Sequence, residues 1–155
     1  MQYTDLQQYQ QQQQAIKDLQ KYHDPEHLWE CILAFQGYEF QTVSGLPFTY
    51  QLKKGRNGEL TKELWIDRRK NSKSLAWSSV MKAFEKTAGK PMVPRPKALG
   101  DIRGVSYLYG MFYQFGLIEI PSKHDKNLII DNIYIRSSQP NQGSLLASIA
   151  NIRWT

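Results

Sequence analysis

Cysteine occurs once in this chain, at Cys31, and histidine three times. An internal disulfide is therefore excluded, and a lone thiol agrees with a reducing cytoplasm, the location expected. No apolar run reaches the roughly 18 residues of a membrane span, so neither a transmembrane helix nor a membrane partner is expected. The opening residues, MQYTDLQQYQQQQQ, have no basic n-region and no apolar h-region, which argues against a secretory signal. Catalytic patterns are scarce as well. A metal-dependent nuclease, the enzyme class nearest to this composition, needs a carboxylate and a lysine two apart on a strand. Here Glu59 to Lys62 and Asp67 to Lys70 are three apart and would face opposite ways. His23 and His27 are spaced like a metal pair, but Pro25 between them starts a helix that leaves His23 outside, and no further ligand completes the set. Ser106 lacks the second glycine of a nucleophile elbow, and Cys31 lies among Trp29, Ile32 and Leu33, as an inert buried thiol would. Neither a catalytic residue nor a metal or other cofactor is implied.

Acidic residues are thin in one region. From Lys53 to Arg103 the chain holds 14 of its 20 cations against 5 of its 14 acids, a local excess of +9. The remainder has 6 cations and 9 acids, an excess of −3, so a third of the sequence carries all of the net positive charge of +6. Charge segregated in this way points to an acidic partner, most often nucleic acid.

What is abundant is apolar and aromatic: hydrophobic residues make up 41% and aromatic residues 12%, enough for a real core. Residues 1–22 are glutamine-rich, with only Leu6, Tyr9, Ile16 and Leu19 as a thin apolar stripe, and read as a helix or flexible arm. Residues 23–155 read as a single α+β domain. In HDPEHLWECILAFQG, Asp24 can cap, Pro25 suits the first helical position, and Leu28, Trp29, Ile32 and Phe35 recur at helical spacing. Three alternating segments follow: YEFQTVS, FTYQLK and LTKELWIDR. The Gly- and Asn-Gly-containing KKGRNGE between the last two is a hairpin signal. This predicts a three-stranded antiparallel meander running into a packing helix, a β-β-β-α unit. In that helix Ser72 or Ser74 caps, Trp77, Val80, Met81, Phe84 and Ala88 share a face, and Gly89 ends it. The stretch from Pro91, with three prolines in six residues, predicts an extended crossing, and Val105 to Phe115 a further helix. LIEI and LIIDNIYIR read as strands, and residues 144–155 fit a helix or a strand equally.

The leading binding candidates come from the basic block. Arg68, Arg69 and Lys70 follow the third strand, Lys73 and Ser74 sit at the expected helix start, and Lys53, Lys54 and Arg56 flank the hairpin loop. Cations running along one face of the sheet would track a phosphate backbone, and a helix start would add donors for a phosphate. A second set, Arg95, Lys97 and Arg103, rides on the proline-rich segment. In the aromatic series that follows, Tyr107 and Tyr113 alone fall off the buried stripe and are candidates for surface contact. These residues predict a non-catalytic nucleic-acid-binding protein, favouring duplex DNA. The alternative is a phage- or plasmid-type accessory protein that binds and inhibits another protein, for example a host defence nuclease.

The pattern F-x-T-x-x-G-x-x-F-x-Y from Phe40 to Tyr50, the basic serine-rich stretch after Asp67 and the R-G-x-S-Y from Arg103 to Tyr107 carry one resemblance. Over roughly residues 35 to 120 the chain resembles a small, largely uncharacterised domain of bacterial and mobile-element proteins. That resemblance implies no function.

Overall fold

The computed structural model describes residues 3–67 and 73–124. Its elements are α1 (Tyr3–Tyr22), α2 (Pro25–Ala34), β1 (Phe40–Gln41), β2 (Pro47–Lys54), β3 (Leu60–Asp67), β4 (Lys73–Ala76), α3 (Trp77–Phe84) and α4 (Val105–Gln114). The fold is α+β. The strands form one antiparallel sheet in the order β1-β2-β3-β4.

Alternation decides which side of the sheet is covered. Phe48, Tyr50 and Leu52 on β2, Leu64 and Ile66 on β3, and Leu75 on β4 are buried and share one face by register. Leu28, Cys31 and Ile32 of α2, Val80, Ala83 and Phe84 of α3, and Leu108, Tyr109, Met111 and Phe112 of α4 belong to the same core. Apolar residues at helical spacing on three helices thus meet apolar residues at strand spacing on the sheet.

Four local expectations are corrected. The sheet has a fourth strand where a helix start was expected: Lys73–Ala76 pairs with β3, and α3 begins only at Trp77. Serine favours caps, but ladder bonds to β3 and burial of Leu75 outweigh that preference here. Ala76 stands at the N-cap with extended backbone and makes no side-chain cap, so Ser74 caps nothing. Ala88 is exposed, because α3 ends at Phe84 and a 3₁₀ turn (Glu85–Thr87) follows; Ala83 takes the place in the core. LIEI is no strand but a single parallel bridge, Met92 to Glu119. The proline-rich segment contains a 3₁₀ turn, Pro96–Leu99, with Arg95 extended before it. Ser72, the strand expected in LIIDNIYIR and the ending 144–155 lie outside the described residues.

α1 is anchored by its C-terminal half. Leu19 is fully buried, Ala15 and Ile16 pack on the core, and Gln12 donates from Nε2 to the Ala34 carbonyl at 3.2 Å. The turn to α2 passes through His23, whose φ of 47° is left-handed. Its ring stacks on Phe84 and its Nε2 lies 2.8 Å from the Thr87 hydroxyl. Thr87 gives its own proton to the Phe84 carbonyl, so the imidazole Nε2–H is the donor in that pair. Asp24 then caps α2 by accepting from the His27 N–H at 2.8 Å.

The β2 edge is closed without a full strand. β1 pairs only Phe48 and Pro47; further along, the Tyr50 carbonyl accepts from the Gly37 N–H and the Leu52 N–H donates to Gln36 Oε1. At the other edge, Gly104 (φ 79°) lies so close to Leu75 that a Cβ would overlap the leucine side chain.

Two outcomes follow from these packing features. Gly104→Ala should destabilise the protein by about 1–2 kcal/mol from backbone strain alone, with more from the clash, and Leu75→Ala in the same chain should recover the clash portion; urea unfolding of both variants measures it. The Asp24 carboxyl is held below its ordinary range, first by the His27 N–H and then by the His27 ring. A lowered folded value contributes stability above the unfolded value of about 3.9 and loses it as pH falls through the folded one. The stability difference between wild type and Asp24→Asn should therefore shrink below about pH 4, as read by unfolding curves taken across that range.

Candidate functional site

Register separates the basic residues that lie close together in sequence. Gln51, Trp65 and Ser74 are aligned across β2, β3 and β4 and point away from the core. Thr49 and Asp67 are the next pair along on that open face, and Glu63 opposite Ala76 lies on its other side. Lys53 belongs to the same face, and its Nζ sits 3.9 Å from the centre of the Trp65 ring. Lys73 does not belong to it. Cross-strand partners share a face, and Lys73 is opposite buried Ile66, so it emerges half-buried on the helix-covered side.

Among the described residues, the cations therefore do not line up along one sheet face. The open face carries Lys53 together with Glu63 and Asp67, and the cations gather elsewhere. One group is at the β2–β3 hairpin end, where Lys54 pairs with Leu60 past a bulge and exposed Arg56 rides in a loop closed by Gly55, Asn57 and Gly58. The other lies by β4, where Gly104 abuts Leu75 and brings exposed Arg103 to the strand that carries Lys73. Arg95 and Lys97 flank Pro96 at the 3₁₀ turn and are exposed. Arg68, Arg69 and Lys70 lie outside the described residues. The helix-start phosphate site disappears, since Lys73 and Ser74 are strand residues and α3 starts after them.

Lys62 joins the hairpin group although the charge pattern of the basic block did not single it out. Two positions before Leu64, it lies on the helix-covered side. Its Nζ stands 5.3 Å from the Trp29 ring and 5.2 Å from Trp77, two indoles in edge contact at 85°. Strand alternation alone would have placed it there. Among the described residues, Lys53, Lys54, Arg56, Lys62, Lys73, Arg95, Lys97 and Arg103 form no salt bridge with a carboxylate, whereas His27 does meet Asp24.

The aromatic candidates are elsewhere engaged. Tyr107 is half-buried with its ring 4.9 Å from Phe48 in edge contact, and Tyr113 likewise packs on the core, so neither is an open stacking platform. No group of three or more His, Cys, Asp or Glu side chains comes together among the described residues. His23 is occupied with Thr87 and Phe84, and His27 with Asp24 and Tyr22. No helix among them is long and apolar enough to cross a membrane.

Comparison with protein-family models, curated proteins and solved structures finds no match to this chain, so its chemistry is argued from its own residues.

Cys31 is fully buried, and burial pushes its thiol up to about 12. The thiolate is the reactive form, so it should be essentially absent at neutral pH. Native protein should resist a thiol reagent at pH 8 and react with one equivalent once unfolded in urea; rapid native labelling would contradict this.

Proposed function

We propose that the protein binds nucleic acid, duplex DNA in preference, without catalysing a reaction on it. The observation that carries this reading is that Lys53, Lys54, Arg56, Arg95, Lys97 and Arg103 have no carboxylate partner among the described residues. Neutralised cations have little left to offer a phosphate, whereas free ones release condensed counterions when they meet it, and that release drives association.

The sheet gives the reading a shape. Strands lie about 4.8 Å apart, so three span about 10 Å, within the ~12 Å of a B-DNA major groove. In that pose the row Gln51, Trp65 and Ser74 faces base edges, while Lys53, Lys54 and Arg56 reach phosphates from the hairpin. Lys73 and Arg103 serve from the β4 side, and Arg95 and Lys97 add to the field. Arg68, Arg69 and Lys70 contribute through their place in the charged block. Glu63 and Asp67 on the open face oppose indiscriminate phosphate contact and suit acceptance from a cytosine amino group.

Gel shifts on mixed-sequence duplex at several salt concentrations test the proposal. The logarithm of the binding constant should fall linearly with the logarithm of salt. Changing Lys53, Lys54 and Arg56 together to alanine should weaken binding and make the slope shallower by about 0.9 for each phosphate left without its cation. Absence of binding at low salt would sink the reading and favour the accessory-protein alternative, whose protein interface would be largely insensitive to salt. An unchanged slope in the triple variant would move the site away from the hairpin.

A further inference from the structure

Of the chain's asparagines only Asn57 is followed by glycine, and the pair stands at the tip of the β2–β3 hairpin. Arg56, Asn57, Gly58 and Glu59 are all exposed. Three bonds define the tip. The Gly55 N–H donates to the Glu59 carbonyl at 2.8 Å, the Gly58 N–H to the Gly55 carbonyl at 3.0 Å, and the Glu59 N–H to Asn57 Oδ1 at 3.0 Å.

The last of these decides what the asparagine amide can do. It closes a ring that runs from Oδ1 through the Asn57 side chain and the Gly58 peptide to the Glu59 nitrogen. The side-chain Cγ is thereby folded back toward the Gly58 nitrogen, and the same bond polarises its carbonyl. Asn57 Nδ2 has no partner among the described residues, so nothing there holds it in place. Gly58, at φ 82°, sets no side chain beside its nitrogen, and nothing lies within 4 Å of where a Cβ would stand. Charge acts in the same sense. Lys54 and Arg56 outnumber Glu59 at this end of the hairpin, and cations stabilise the negative charge that develops on an attacked carbonyl. One bond opposes attack: the Gly58 N–H is engaged with Gly55, so the turn must open there first. Opening an exposed loop tip costs far less than unfolding the domain.

We propose that Asn57–Gly58 is a self-modification site, where asparagine converts to aspartate and isoaspartate with water as the sole co-reactant. The Gly58 nitrogen gives its proton to solvent and bonds to Asn57 Cγ. The Cγ–Nδ2 bond breaks, and Nδ2 takes a proton from water and leaves as ammonia, giving a succinimide. Water then opens that ring. Attack at Cγ restores the Gly58 peptide and leaves an aspartate; attack at the backbone carbonyl leaves Gly58 linked through Cγ, an isoaspartate. In sum an amide and water become a carboxylic acid and ammonia, with nothing oxidised or reduced. Either product sets a carboxylate beside Lys54 and Arg56, cations that have no carboxylate partner among the described residues. The hairpin thus carries a clock that withdraws its cations from phosphate as the protein ages. The modification stands on the geometry of the tip; only this consequence rests on the nucleic-acid reading.

The test is incubation of the native full chain in mildly alkaline buffer, sampled over time by peptide mapping with mass spectrometry. The tip peptide should gain the mass difference between amide and acid and split into aspartyl and isoaspartyl forms, ahead of every other asparagine. It should do so more slowly than in the urea-unfolded chain, because the Gly58 bond to Gly55 must open. Asn57→Gln, whose longer side chain disfavours the ring closure, should leave the tip unmodified in a folded protein. An Asn57 that stays intact in native protein while the unfolded chain converts, or that converts no faster than the other asparagines, overturns the proposal. For the consequence, aged protein separated by ion exchange is compared with fresh protein in the duplex gel shifts. Its salt slope should be shallower by about 0.9, the loss of one phosphate contact, and Asn57→Asp should reproduce that change. An equal slope in aged, fresh and Asn57→Asp protein overturns the clock. If fresh protein binds no duplex, the nucleic-acid reading and the clock fail together, while the peptide map still decides the modification.

Discussion

Tyr50 sits in the middle of β2 with no exposed surface and donates its hydroxyl to the Ile32 carbonyl at 2.6 Å. That bond ties the sheet to α2, and the rest of the fold is arranged around it. The carbonyl lies near the C-terminal end of α2, where backbone acceptors lack helical donors, so one buried phenol answers two polar demands at once. Burial drives the Tyr50 phenol far above its ordinary value, so it remains a donor at every pH the protein meets. Around it the rings of Phe40, Phe48, Phe35 and Phe115 form a chain of contacts at 5 to 6 Å that fixes β1 against α4. The same device recurs at the other end of the core. Tyr109 of α4, fully buried, donates to the Val93 carbonyl and so binds a non-helical segment to a helix.

Two-residue alternation governs the functional surface as strictly as it governs the core. Lys73 and Ser74 are neighbours in sequence, yet pairing with Ile66 and Trp65 sends them to opposite sides of the sheet. Charge density along the chain is therefore a poor guide to charge density in space. Spacing by two gathers Lys53, Trp65 and Gln51 on one face, and contact between Gly104 and Leu75 draws Arg103 toward β4 from a distant part of the chain. The open face is a mixed polar surface with an aromatic centre, and Lys53 lies over that centre.

The glutamines serve a structural end first. Gln36 stands in for a missing strand at the β2 edge, and Gln12 completes the end of α2, so α1 is attached through both polar and apolar contacts. An amide has two unlike ends. When the backbone claims one, the sense of the other is fixed as well.

Much of the fold is legible in the sequence. The cap and first turn of α2, the β2–β3 hairpin, the apolar stripe of α4 and the inert burial of Cys31 follow from local pattern, because each depends on residues a few positions apart. The fourth strand is not legible there. SKSLA has the composition of a helix start, and only pairing with β3 makes it a strand, an interaction between segments whose match no local period records. The candidate site divides along the same line. Sequence alone determined that positive charge is concentrated between Lys53 and Arg103. Tertiary structure alone decided which of those cations share a face, that Tyr107 and Tyr113 pack inward, and that two glutamines 24 residues apart line one groove. The reason is physical: composition and spacing set what each segment can bury, but register and helix docking set what each side chain finally meets.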